Sequence, residues 1–162
     1  MSGKAKEAVP VLRSEMNFRK NVAAVIVNDK GLILVGKRTD VPNAWQIPQG
    51  GVDCNENEQD AVLREVFEET GIESEFLKII KRTSVIRYLF PPEIRKGMKF
   101  DGQEQIYFLI KIVGPGWSLE RSDEFSDFEW LDQNEVVKRA VEFKKNSYIE
   151  AFRQLFGVKD GI

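Results

Sequence analysis

Histidine is absent from this chain of 162 residues, and cysteine occurs once, at Cys54. Without an imidazole there is no Ser-His-Asp triad, no Cys-His pair and no histidine metal ligand. A lone thiol excludes an internal disulfide, a CxxC redox pair and a cysteine-rich zinc site. Acid-base chemistry therefore falls to carboxylates, lysine, tyrosine or a bound hard cation. No apolar run approaches the length of a membrane span. Neither sign of charge dominates, since 24 Lys and Arg stand against 26 Asp and Glu. That balance argues against binding long duplex nucleic acid, which needs a broad basic surface. Lys4 and Lys6 precede only a short apolar stretch that ends at Arg13 and Glu15, so no signal peptide and a cytoplasmic location are expected.

What is present is the composition of a folded protein, 42% hydrophobic and 31% charged. Residues 1–17 read as a polar lead-in and 18–162 as one domain long enough to bury a core. Val22–Val27 and Leu32–Val35 are apolar runs around Asn28-Asp29-Lys30-Gly31, a hairpin signal. Asn55 followed by Glu58 starts a helical spacing over 57–70, and Gly71 ends it. Long strands are expected over Phe76–Tyr88 and Gln105–Val113, with a loop over Phe90–Gly102 marked by Pro91, Pro92 and Gly97. A strand over Phe125–Leu131 and helices over Asn134–Ala140 and Ser147–Phe156 complete the chain. Strands and helices mix without strict alternation, so the expected class is α/β, a mixed sheet flanked by helices.

Charge is uneven. Lys81, Arg82, Arg87, Arg95, Lys96 and Lys99 crowd one segment, and Glu120, Asp123, Glu124, Asp127, Glu129, Asp132 and Glu135 crowd another. On the 57–70 helix, Glu65, Glu68 and Glu69 share an arc with the small Ala61, while Val62, Leu63, Val66 and Phe67 lie opposite. Like charges at that spacing destabilise an exposed helix by only about 0.2–0.5 kcal/mol per pair. If the stripe is partly buried the repulsion grows, and a divalent cation held by oxygen ligands would relieve it. Two shorter patterns lead nowhere. Gly31 to Lys37 has P-loop glycine and lysine spacing, but Arg38 follows where Ser or Thr is needed. Asp53, Asn55 and Asn57 begin like a calcium loop that then places Glu58 where glycine is required.

The run Gly50, five residues, Glu56, seven residues, Arg64-Glu65-Val66-Phe67-Glu68-Glu69-Thr70-Gly71-Ile72 is more specific. It resembles the Nudix box, G-x5-E-x7-R-E-U-x-E-E-x-G-U, at every fixed position. Such a match arises by chance roughly once in 10⁷ chains of this size. The resemblance implies a Nudix fold, a mixed sheet sandwiched between helices, and hydrolysis of a nucleoside diphosphate linked to another group. It implies that Glu65, Glu68 and Glu69 are catalytic metal ligands for Mg²⁺ or Mn²⁺, with one of them or a water between them as base, and that Gly50 lends a carbonyl. Arg64 would orient a neighbouring carboxylate, Glu56 would brace the loop and Gly71 would close the helix.

Further pieces resemble the branch of bacterial RNA 5′-pyrophosphohydrolases and asymmetric dinucleoside-polyphosphate hydrolases: Phe18-Arg19-Lys20-Asn21-Val22, Ala44-Trp45-Gln46-Ile47-Pro48-Gln49-Gly50-Gly51, Arg87-Tyr88, Asp101-Gly102-Gln103-Glu104-Gln105, Asp123-Glu124-Phe125 and Phe143-Lys144. There, an acid at Glu124 completes the metal site. Arg19, Arg38, Arg87 and Lys144 would meet phosphates or the terminal nucleotide, Tyr88 and Phe143 phosphate or a base, and Gln103 and Gln105 would contact the substrate from one shared surface. Lys20 stands where that branch usually has proline, and the long basic tail of some family members is missing. The expected activity is removal of pyrophosphate or phosphate from a triphosphorylated or diphosphorylated RNA 5′ end. The alternatives are hydrolysis of dinucleoside polyphosphates such as diadenosine tetraphosphate, or of another nucleoside-diphosphate-linked substrate, and a non-catalytic nucleotide-binding module. The oligomeric state is open.

Overall fold

A computed structural model describes residues 15–157, so most of the lead-in expected over 1–17 lies outside the described residues. Strands β1 (Phe18–Val27), β2 (Ile33–Arg38), β3 (Trp45–Gln46), β4 (Gln49–Gly51), β5 (Leu77–Arg82), β6 (Ile86–Leu89), β7 (Gly102–Ile112) and β8 (Phe125–Leu131) form one mixed sheet. The helices are α1 (Glu58–Thr70), the short α2 (Pro92–Arg95), α3 (Gln133–Arg139) and α4 (Lys145–Phe156). At the centre β1 and β7 run parallel, in register from Phe18 opposite Gly102 to Val27 opposite Lys111. The other pairings are antiparallel.

Side chains alternate across those central strands with period two. Val22, Ala24, Ile26, Ile106, Phe108 and Ile110 point to one face and pack on Ala61, Val62 and Val66 of α1. Ala23, Val25 and Tyr107 point to the other and pack on Val136, Tyr148, Ala151, Phe152 and Leu155 of α3 and α4. Both faces are covered, which gives the α/β/α sandwich expected from the box. Each large apolar side chain so buried contributes about 1.5–3 kcal/mol. Among the described residues no helix is long and apolar enough to cross a membrane.

Several local expectations need correction. The hairpin at Asn28–Leu32 forms, with the Asn28 side chain accepting from the Lys30 and Leu32 N–H groups, both at 3.0 Å. It holds only Val27 opposite Ile33 before β2 leaves to pair with β3 and β8. The long strand expected over Phe76–Tyr88 is broken between Arg82 and Ile86. Arg82 faces Phe108 and Ile86 faces Gln105, so the edge holds one residue more than β7 opposite it. Thr83 accommodates the bulge: its hydroxyl accepts the Tyr107 N–H at 3.0 Å in place of a backbone carbonyl. The loop expected over Phe90–Gly102 contains α2, with Pro92 in its first turn.

The helix start is also displaced. Asn57, not Asn55, caps α1, its side chain accepting from the Asp60 N–H at 2.8 Å, while Asn55 sits at φ 66° in the turn before it. The predicted stop holds, since Gly71 at φ 80° donates its N–H to the Phe67 carbonyl at 2.9 Å. The buried residues of α1 are Ala61, Val62, Val66, Glu69 and Thr70, the last four at i, i+4, i+7 and i+8. Glu69, expected on the acidic outer arc, is therefore 7% exposed, and Phe67, expected inside, is 53% exposed. Asn57→Ala should lower the unfolding free energy by about 1 kcal/mol, read by urea denaturation. Asn55→Gly, which suits a positive φ, should cost nothing.

Candidate active site

The loop before α1 is tied to the helix by a single guanidinium. Arg64 donates to both Glu56 oxygens at 2.8 and 2.9 Å, to Glu65 at 2.8 Å, to Glu68 at 3.3 Å and to the Gly51 carbonyl at 2.9 Å. Glu56 also accepts the Asp53 N–H at 2.9 Å. Arg64 and that N–H hold the Glu56 carboxyl down at about 2, so it serves as a permanent anion in the brace. In return its carboxylate neighbours hold Arg64 well above the usual guanidinium range.

Helix α1 and strand β4 then bring carboxyl groups together. Gly50 lies so close beneath Glu65 that a Cβ there would collide with its carboxyl group. One turn on, Glu69 accepts the Gln49 N–H at 3.1 Å and lies within hydrogen-bonding reach of Glu65. Burial, then the charge of Glu65, pushes the Glu69 carboxyl up to about 9, with a further contribution from Glu124. Glu65 is also raised, by burial against the opposing pull of Arg64. Without a cation, Glu69 keeps a proton and shares it with Glu65. Glu68 is exposed at the rim, and Glu124 is exposed at the entry to β8, where its carbonyl accepts the Thr39 N–H at 3.1 Å.

Three cations lie nearby. Lys144 is buried and donates to the Gln46 side chain at 3.0 Å. Burial and the nearby charge of Arg38 pull it down to about 8, against Glu124, Glu69 and Asp40, which favour its charged form. Arg38 makes a two-pronged pair with Asp40 at 2.9 and 2.7 Å. The Arg19 guanidinium covers Gly51. Beside them Tyr88, Phe90 and Phe143 form an aromatic cluster with ring centres 5.8 to 6.5 Å apart. The Tyr88 hydroxyl donates to Gln103 at 2.8 Å, and burial holds it far above the usual phenol range, so it stays neutral.

Some expected contacts fall elsewhere. Arg87 occupies the face of β6 opposite Tyr88, because strand neighbours alternate; it pairs with Glu104 at 3.4 Å and lies over Phe18. Gln103 and Gln105 do share a face, but both are buried with their side chains hydrogen-bonded inside the protein. Asp40, Gln46, Gln49 and Tyr148 were missed. The polar pair Gln46 and Gln49 flanking Ile47-Pro48 was the available signal, since glutamine is out of place in a short apolar strand segment.

The donor set fits a hard divalent cation, because it is all oxygen and burial raises both the Glu65 and Glu69 carboxyls, which a positive charge between them would relieve. Among the described residues no three acidic side chains form a closed ligand set, and Arg64 holds both Glu65 and Glu68.

Glu69 titrates near 4.5 in the unfolded chain and near 9 in the folded one. Between those values the folded state holds a proton the unfolded state has lost, so stability falls as pH rises. In chelator the melting midpoint should fall by several degrees from about pH 5 to 7.5, below the Lys144 titration. Glu69→Gln should flatten that slope.

A NUDIX domain model matches residues 17–152. An RNA pyrophosphohydrolase of Cereibacter sphaeroides is 39% identical over 142 residues, covering 82% of this chain and 87% of the relative. One from Erythrobacter litoralis is 32% identical over 154 residues, 87% and 94% of the two chains. Nudix hydrolase 26, chloroplastic, of Arabidopsis thaliana is 37% identical over 145 residues, 82% and 67%. A C. elegans Ap4A hydrolase structure superposes with a TM-score of 0.67 at 24% identity, over 85% of this chain and 97% of that one.

Proposed function

Since the chain belongs to the Nudix hydrolase family, we propose that this pyrophosphohydrolase is cytoplasmic and converts triphosphorylated or diphosphorylated RNA 5′ ends to monophosphates. The carrying observation is the buried Glu69, within electrostatic reach of like-charged Glu65 and Glu124 and of Lys144, which Arg38 neighbours in turn. Such a site takes a polyanion and a cation together. The RNA end is favoured by the relatives named RNA pyrophosphohydrolase, which match this chain over more than four fifths of its length.

Nudix hydrolases use divalent metal ions, and here Mg²⁺ or Mn²⁺ would be held by Glu65, Glu68, Glu69 and Glu124 with the Gly50 carbonyl. Bound there, the cation neutralises phosphate charge and lowers the pKa of water. The remaining work belongs to the chain. Arg38, Arg19 and Lys144 bind phosphate oxygens. Lys144, poised near neutrality, gains from an arriving anion, which favours its protonated form. Phe143 offers an aromatic face to the terminal base. One of the box glutamates accepts a proton from the attacking water as a new P–O bond forms, and pyrophosphate or phosphate leaves. Glu56 and Arg64 hold the loop against the helix and take no proton.

Glu69→Gln should reduce turnover of triphosphorylated RNA about 10²–10⁴-fold with the fold intact. Lys144→Ala should raise KM more than it lowers kcat. Rates on triphosphorylated RNA and on diadenosine tetraphosphate, measured side by side, test the substrate. A much faster dinucleotide reaction would replace the RNA reading with the dinucleoside-polyphosphate one.

A further inference from the structure

Behind the glutamates, a chain of polar groups runs through the otherwise apolar face that α3 and α4 cover. In the parallel pair of central strands, Asn21 and Gln105 lie side by side in register. Gln105 is 1% exposed. Its amide nitrogen donates to Asn21 Oδ1 at 2.8 Å and to Gln49 Oε1 at 2.9 Å, and its oxygen accepts the Tyr107 hydroxyl at 2.7 Å. Both amide hydrogens are used, so no donor remains for a nucleotide. Tyr107 is fully buried and meets the Tyr148 ring edge-on at 6.2 Å.

Gln49 turns this network toward the site. Its side chain is taken by Gln105, and its backbone N–H donates to Glu69 Oε1 at 3.1 Å. The next residue, Gly50, lies under the Glu65 carboxyl. We propose that Gln105 is a positioning residue, acting through Gln49 to aim the Glu69 carboxylate, and not a nucleotide contact. An apolar side chain in its place would strip the buried Asn21 Oδ1 of its donor, release the half-buried Gln49 side chain and leave the Tyr107 hydroxyl with Ser147 alone. Gln49 would then be free to turn, and with it the peptide that holds Glu69. The inference rests on the pyrophosphohydrolase reading of the site.

Gln105→Leu and Tyr107→Phe test it. Three measurements are needed: kcat and KM on triphosphorylated RNA, Mn²⁺ uptake by calorimetry without nucleotide, and binding of a non-hydrolysable ATP analogue in EDTA. Gln105→Leu should lower kcat and weaken Mn²⁺ uptake, each about 10–100-fold, the usual effect of losing a partner that orients a ligand. KM and metal-free nucleotide binding should stay within about threefold. Tyr107→Phe, which removes one hydroxyl and keeps the ring, should move the same quantities the same way by a smaller factor. It decides the matter if Gln105→Leu does not fold. Weaker nucleotide binding with Mn²⁺ uptake unchanged would make Gln105 a substrate contact and overturn the proposal, as would no change in any quantity. Absence of Mn²⁺ uptake by the unsubstituted chain would instead overturn the reading of the site beneath it.

Discussion

A carboxyl group sits in the apolar stripe of α1, and the surrounding structure is arranged about that burial. Glu69 follows Val62 and Val66 at helical spacing and is as inaccessible as they require. Ionising it there is unfavourable, because water is excluded and Glu65 is within reach. A proton can satisfy the pair, and so can a divalent cation. Only a cation would leave both carboxylates charged. Lys144 is within electrostatic reach of Glu69, Glu124 and Arg38. Burial thus converts an acidic stripe that would be ordinary in solvent into a place where positive charge would be favoured, as the proposed function requires.

The chain holds this arrangement from two sides. In front, Arg64 joins Glu56, Glu65, Glu68 and the Gly51 carbonyl, so that the loop and the helix move as one piece. Behind, Lys144 grips Gln46, the Tyr148 hydroxyl accepts the Ile47 N–H at 3.3 Å, and Gln105 grips Gln49. The segment from Gln46 to Gly51 is therefore pinned by the second half of the chain. Polar groups in a core specify one geometry when all are satisfied, and among the described residues no buried side-chain polar atom lacks a partner.

Much of this was legible in the residues. The box spacing placed the helix, its glycine stop and the arginine beside the glutamates, because those features depend on local chemistry over a span of some twenty positions. Two errors share one cause. Asn55 and Asn57 are equally good caps by type, and only the turn that puts Asn55 at positive φ chooses between them. Likewise Glu69 and Phe67 lie on nearly opposite sides of one helix, so only one of them can face the sheet. A hydrophobicity pattern assigns Phe67 to the core, yet β4 and β1 pack against the side that carries Glu69. The broken edge strand went unseen because Thr83 looks like any strand threonine until its hydroxyl replaces a ladder carbonyl.

Residue order alone carried the chemistry available: no imidazole, no disulfide, an oxygen-rich helix of fixed spacing and a mixed α/β pattern. Those properties depend on side-chain type and on the pitch of a helix, which are local. Which carboxyl is buried, which cations face it and which polar groups support it depended on contacts between positions far apart, such as Lys144 with Gln46 and Gln105 with Asn21. Burial and electrostatic coupling act through space, so they came into being only when β1 and β7 paired and the helices closed over both faces.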